Sequence, residues 1–290
     1  MAKVFQVDTG GTLTTELRAY WKLDDTGSTV VDFFSTNNGT ITGASSVAGK
    51  INNALDFGGV NTYKVAVPDS ANFDVTNGWS VNYWINFTEF VAQDTSISKW
   101  NSQGGDGANE FIWYPAATNG GTLYARNTSD TQVSVNGPTM TLVTGTWYMF
   151  TGTFDGSYLR FYINGTVGTP AALDGNMKQG TENLWIGDGS ANPNDTFTLT
   201  GKMDEVGYWG KTLTQTEIAD LYNSGAGQTM IETQDYSMTA SVGAFVLTGI
   251  AALLIRGYTI VCAVGSFILT GIDAGFKKAL KMIASVEVLS

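Results

Sequence analysis

The feature that most constrains this chain is a period of two. From Leu17 to about Gly227, short runs of alternating apolar and polar residues are broken by Gly, Asn, Asp or Thr. The run WSVNYWINF, residues 79–87, sets Trp79, Val81, Tyr83, Ile85 and Phe87 on one side and Ser80, Asn82, Trp84 and Asn86 on the other. Successive side chains of a strand point to opposite faces, so this run reads as a strand with a core side and a wetter side. TWYMFTGTFDGSYLRFYINGTV, residues 146–167, reads as two strands closed at Asp155-Gly156, the second ending in the hairpin signal Asn164-Gly165. NEFIWYP, TLYARN, NLWIGD and FTLTGKMDEVGYWG supply further strands. One helix interrupts them. In TQTEIADLYNSG, Thr214 and Glu217 stand at capping-box spacing, Ile218, Leu221 and Tyr222 share a face, and Gly225 is the expected stop.

Composition narrows what such a chain can do. At 290 residues it exceeds the usual single domain, and 43% hydrophobic content with 14% charge argues for a core and against disorder. The net charge of −11 comes entirely from the part before Gln228, with 11 Lys/Arg against 22 Asp/Glu there and four of each beyond. Nucleic acid is disfavoured as a partner, because phosphate contacts need clustered Lys and Arg. The chain has no histidine, which removes the commonest general base and metal ligand. Its one cysteine, Cys262, excludes an internal disulfide framework. MAKVFQVDTGGTLTTELRAYW contains no apolar run of signal-peptide length, so no secretory signal is read there.

Several segments, in order, carry a resemblance: AYWKLDD (19–25), NNGTITG (37–43), GKINNALDFGG (49–59), VAVPDSANFD (65–74), WSVNYWI, GTWYMFTGTFDGSYLRFYING (145–165), LWIGD (184–188) and FTLTGKMDEVGYWGKTLTQTEIADLYNSG (197–225). Together they resemble the laminin G-like, concanavalin A-like family. The resemblance implies an all-β jelly-roll sandwich of two antiparallel sheets, one concave and one convex. It also implies a glycan-binding or adhesion module, or a domain carried by an enzyme. Enzymes on this sandwich resemble one another in placing alternating carboxylates on a concave strand. No such run stands here, and Asp204-Glu205 are neighbours expected on opposite faces, so a non-enzyme is expected. Family members often hold calcium at the sandwich edge through Asp and Asn oxygens; the positions matching that role are Asp32, Asn37 and Asp204. Aromatic faces stack on sugar rings, which singles out Trp84, Trp100, Trp113 and Tyr114 as glycan-binding candidates. The competing reading is that a sandwich buries many aromatics as framework.

The most apolar stretch, SVGAFVLTGIAALLIRGYTIVCAVGSFILTGI, residues 241–272, looks at first like a membrane span. A span needs roughly 20 consecutive apolar residues, and Arg256 interrupts this one centrally. Residues 236–257 and 258–279 are instead two copies of one unit, identical at nine of 22 positions, with a third beginning as LKMIASVEVLS. A period of this length suits stacked β units. GAFVLTG and GSFILTG read as strands between glycines, whereas Phe276, Ala279, Leu280 and Ile283 also fit a helical face.

The expected organisation is an N-terminal arm (1–16), a laminin G-like sandwich (17–228) and a β-rich repeat module (229–290). The repeats resemble those ending phage structural proteins. Phe245, Leu247, Val264, Phe267 and Leu269 are the expected assembly residues, joining copies of the chain or other virion proteins. The function expected is a non-catalytic virion structural or decoration protein that displays a glycan-binding sandwich towards cell-surface glycans. A bacterial cell-surface adhesin with a C-terminal membrane anchor is the alternative, and a glycoside hydrolase on the same fold the third reading.

Overall fold

The alternation builds two antiparallel sheets in the computed structural model of the protein. It describes residues 2–100, 109–189 and 197–233 and, beyond them, the strands Phe245–Val246, Val261–Cys262, Phe267–Ile268 and Ile283–Ala284. Among the described residues one sheet has nine strands, running Thr166–Val167, Tyr158–Ile163, Trp147–Phe154, Trp79–Phe87, Gly201–Trp209, Asn53–Asp56 and Ser45–Ala48. Leu17–Trp21 pairs onto Gly201–Trp209, and Ala171–Ala172 onto Tyr158–Ile163. The other has eight, in the order Gln132–Asn136, Thr122–Arg126, Phe111–Tyr114, Ile97–Lys99, Leu184–Ile186, Lys64–Val67, Gly39–Thr42 and Thr29–Val30. Strands distant in sequence lie side by side, as the jelly roll requires.

The predicted core side of residues 79–87 faces the other sheet. Trp79 packs on Phe111 with centroids 4.8 Å apart, and Tyr83 on Trp113 at 5.3 Å. Aromatic burial of this kind contributes roughly 1.5–3 kcal/mol per side chain. Gly152 is required by the same packing. A Cβ there would come within 2.9 Å of Leu123 and 3.0 Å of Trp113. The hairpin at Asn164-Gly165 forms with φ of 50° and 80°, the positive pair that the dipeptide predicts.

A second buried layer covers the outer face of the nine-stranded sheet. The helix Gln215–Tyr222 carries the predicted capping box between Thr214 and Glu217 and buries Ile218 and Leu221. It ends at Asn223, whose αL backbone (φ 45°, ψ 52°) supplies the stop two residues earlier than the expected Gly225. The helix also fastens part of the expected N-terminal arm. Asp220 accepts hydrogen bonds from Thr9 N and Oγ1 at 2.7 and 2.8 Å, Glu217 accepts from Thr12 Oγ1 at 2.6 Å, and Leu13 O accepts from Trp209 Nε1 at 2.7 Å. The chain accordingly divides into Val7–Met230 and a second unit of Met1–Gln6 with Ile231–Ser290. The arm expected over 1–16 is thus corrected: residues 7–16 belong to the sandwich, since buried Leu13 and these bonds tie them in.

In the second unit, Ala2–Phe5 pairs with Met230–Thr233. Phe245–Val246 runs parallel to Phe267–Ile268, and Val261–Cys262 parallel to Ile283–Ala284. Each register pair, such as Phe245 with Phe267, is separated by the 22 residues of the sequence repeat. Ile283 is therefore in a strand, and Phe245 and Phe267 are paired in register. Leu247, Val264, Leu269, Phe276, Ala279 and Leu280 lie outside the described residues. Among the described residues no helix is long and apolar enough to cross a membrane.

Candidate functional site: the outer face of the eight-stranded sheet

Alternation decides which side chains reach the outer face. In Thr122–Arg126, Leu123 and Ala125 are fully buried in the core, so Thr122, Tyr124 and Arg126 point away from it. The edge strand presents Asn136, Ser134 and Gln132 opposite these three residues. Arg126 Nε donates to Gln132 Oε1 at 3.1 Å, and Thr122 Oγ1 to Asn136 Oδ1 at 2.9 Å. On the neighbouring strand Phe111–Tyr114, Tyr114 meets Tyr124 edge-on at 5.8 Å and Phe197 at 6.3 Å. The guanidinium of Arg126 stands 5.2 Å from the ring centre of half-buried Trp100. Further across, Trp185 is almost buried, with Lys64 Nζ 5.0 Å from its ring centre, and Lys64 pairs with Asp188 at 3.0 Å.

Trp100 is held by the residue before it. Lys99 is fully buried and pairs with Glu110 at 2.5 Å and Asp69 at 2.8 Å, while also donating to Gly180 O at 2.7 Å. Glu110 accepts from Gly180 N at 2.7 Å. Burial pushes the Glu110 carboxyl up to about 7 although Lys99 pulls it down. One buried ammonium thus fastens two loops to the strand end that carries Trp100.

Of the four aromatic candidates, the structure brings Trp100 and Tyr114 to this face and removes the other two. Trp113 is fully buried, 4.6 Å from Phe161 edge-on and 5.9 Å from Phe150, because it shares the core side of its strand with Phe111. Trp84 sits on the outer face of the nine-stranded sheet as the alternation predicts, yet it is 2% exposed. Tyr222 of the helix stacks on it at 5.9 Å with rings 18° apart, and Lys50 Nζ lies 4.5 Å from its ring centre. Both are framework residues. The sequence reasoning missed Tyr124, Arg126 and Trp185, although TLYAR and LWI each carried the alternation that turns them outward.

Of the three calcium candidates, Asp32 and Asn37 are engaged in loop hydrogen bonds. The Asp32 carboxylate accepts from Tyr20 N at 3.0 Å, Thr36 N at 3.1 Å, Thr36 Oγ1 at 3.0 Å and Asn37 N at 3.1 Å. Asn37 Oδ1 accepts from Ser70 Oγ at 2.9 Å and Asn72 Nδ2 at 3.1 Å. A hard cation needs those lone pairs, and hydrogen-bond donors already occupy them. Asp32 and Asn37 hold a loop, and among the described residues no three acidic or sulfur ligands gather for a metal.

Asp204 and Glu205 also depart from expectation. Between the register pairs Asp204 with Trp84 and Gly207 with Asn82, two residues oppose the single Tyr83. This β-bulge, with Glu205 at φ 50°, leaves Val206 in the core and Glu205 on the same outer side as Asp204. Both carboxylates are buried. Asp204 accepts from Ile51 N at 2.9 Å, and Glu205 accepts a short hydrogen bond from the Tyr20 hydroxyl. Burial raises Asp204 to about 8, and burial together with the Asp204 charge holds Glu205 well above the usual carboxylate range.

Residues 57–219, more than half of the chain, match the concanavalin A-like lectin/glucanases superfamily. The chain belongs to this superfamily. No curated protein matches it in sequence. Among solved structures it is similar to domain 4 of AbnA, a GH43 extracellular arabinanase from Geobacillus stearothermophilus, in complex with arabinotriose. That likeness has a TM-score of 0.55 at 19% identity and covers 71% of this chain and 97% of that one. The binding domain of Paraclostridial Mosquitocidal Protein 1 is similar with a TM-score of 0.57 at 12% identity, over 73% of this chain and 53% of that one. Trypanosoma rangeli sialidase in complex with sialic acid follows with a TM-score of 0.55 at 15% identity, over 74% and 34%. The chain thus spans about half and about a third of the last two proteins. At such identities the likeness shows the fold alone.

Proposed function

We propose that the protein is a non-catalytic carbohydrate-binding module displayed on a particle surface, with the outer face of the eight-stranded sheet as the sugar-contacting side. The observation that carries this is the grouping of Trp100, Tyr114, Tyr124 and Arg126 on one face, beside a hydrogen-bonding row of Gln132, Ser134 and Asn136. Rings that accept sugar faces and amide or hydroxyl groups that meet sugar hydroxyls are the two chemistries such recognition needs. Asp204 and Glu205, which the bulge brings to one side, are buried and engaged with Ile51 and Tyr20, which favours binding over hydrolysis. The similar AbnA domain is solved in complex with arabinotriose, and the sialidase that is similar over a third of its length in complex with sialic acid, which makes a neutral pentose oligomer and an acidic sugar the first two ligands to try. The repeat module is the attachment half of this reading, fixing the sandwich to a virion or similar particle where many copies raise avidity.

The test is calorimetric titration of the full chain with arabinotriose and with sialic acid, backed by a glycan array. Binding that weakens about tenfold or more in Trp100→Ala and Tyr124→Ala, with unchanged melting, supports the reading. Binding untouched by both substitutions, or no glycan bound at all, overturns it.

A further inference from the structure

Lys99 has no exposed surface, and its ammonium stands between two carboxyl groups, 2.5 Å from Glu110 Oε1 and 2.8 Å from Asp69 Oδ1. The two contacts differ in kind. Glu110 Oε1 is hydrogen-bonded, accepting from Lys99 Nζ and from Gly180 N at 2.7 Å. Asp69 Oδ1 is also buried, yet among the described residues it has no hydrogen-bond partner despite its short distance to Nζ. An amine beside one carboxyl group and hydrogen-bonded to a second supplies the three parts of amide formation: a nucleophile, an acyl carbon and a proton carrier. We propose that Lys99 and Asp69 join in an isopeptide bond once the sandwich has folded, with Glu110 carrying the protons.

The step is a condensation. Glu110 takes a proton from the Lys99 ammonium, the freed amine attacks Asp69 Cγ, and the Nζ–Cγ bond forms as one carboxylate oxygen leaves. That oxygen receives the proton held by Glu110 and a second one from the same nitrogen, and departs as water. Burial brings the Glu110 carboxyl up to about 7, so it can both hold and release a proton near neutrality. Folding fixes the reacting groups side by side, which removes the entropy cost of bringing them together. The surroundings are dry: Phe111, the register partner of Lys99, packs on Trp79 at 4.8 Å, and both rings are buried. Asp69 follows Lys64–Val67 and Lys99 ends Ile97–Lys99, with Leu184–Ile186 between those strands in the sheet. The bond would clamp all three at one end.

Mass spectrometry of the full chain, folded and then denatured, tests the proposal. The expected mass is that of the sequence less one water. A chymotryptic digest, cut at Trp79 and Trp84 between the two residues, should contain a branched peptide that joins Asp69 to Lys99. Asp69→Ala and Glu110→Gln should each keep the full mass of their sequences. The unsubstituted chain decides by itself, so the test does not depend on whether either variant folds. A full sequence mass in the folded, unsubstituted chain overturns the proposal. So does water lost elsewhere, as from a succinimide at Asp155-Gly156, or a branch that maps to Glu110. A folded Glu110→Gln chain that still loses the water overturns the role given to Glu110.

Discussion

The two outer faces of this sandwich began with the same sequence signature and ended differently. Trp84 on the nine-stranded sheet and Tyr124 on the eight-stranded sheet each occupy the polar side of an alternating run. Trp84 lies beneath the helix that follows the Asp204-Glu205 bulge, stacked on Tyr222, whereas Tyr124 stays half-buried among Tyr114, Thr122 and Ser134. The difference is made by what comes after the strand in the chain. A strand whose outer side receives a helix acquires a second core there, and its aromatics become structure. A strand whose outer side receives no helix keeps its aromatics partly exposed.

The strongest way to break that contrast is Trp84→Ala. Removing a fully packed indole should destabilise the sandwich by about 3–5 kcal/mol, measured by urea denaturation, with affinity for a bound sugar unchanged in the folded fraction. A loss of sugar affinity without loss of stability would reverse the assignment of the two faces.

Next in size is the pH dependence built into the covered face. The Asp204 carboxyl is raised to about 8 in the folded protein against 3.8 in an ordinary environment. A raised acid stabilises the fold below its unfolded value and loses that contribution as pH rises through the folded one. Stability should therefore decline between about pH 4 and pH 8. Asp204→Asn should flatten that decline and leave the variant more stable than the unsubstituted chain at pH 9. Parallel pH–stability curves for the two proteins would show that the carboxylate does not feel its burial.

The proposed ligand face should respond in the opposite sense. Trp100→Ala is expected to reduce sugar affinity by about 1.4 kcal/mol, with melting shifted little because the ring is only partly covered. The smallest effect is expected from Thr214→Ala, which removes the side-chain half of the capping box. It should lower stability by about 1 kcal/mol and speed hydrogen exchange in residues 215–222 ahead of the core strands.

Much of the fold was legible because strand alternation is local. The core side of residues 79–87, the hairpin at Asn164-Gly165 and the Thr214 capping box each depend on residues a few positions apart. The repeat period likewise anticipated the strand register of the C-terminal unit. The candidate site was legible only in part. Trp100 and Tyr114 were found as aromatics near strands, but the same reasoning admitted Trp113, whose partners Phe111 and Phe161 fix it in the core from two strands.

Sequence alone determined that the chain is an all-β sandwich followed by repeats, since period, turn residues and caps act through neighbouring backbone. Tertiary structure decided which polar-side residues are covered, because the helix at 215–222 reaches Trp84 across more than 130 residues of chain. It also decided that Asp204 and Glu205 share a side, because a bulge is set by the partner strand and leaves the alternation of its own sequence unreadable. Asp32 and Asn37 follow the same rule: their composition suits a cation, and the backbone and side-chain donors that fold around them put their oxygens to work holding a loop.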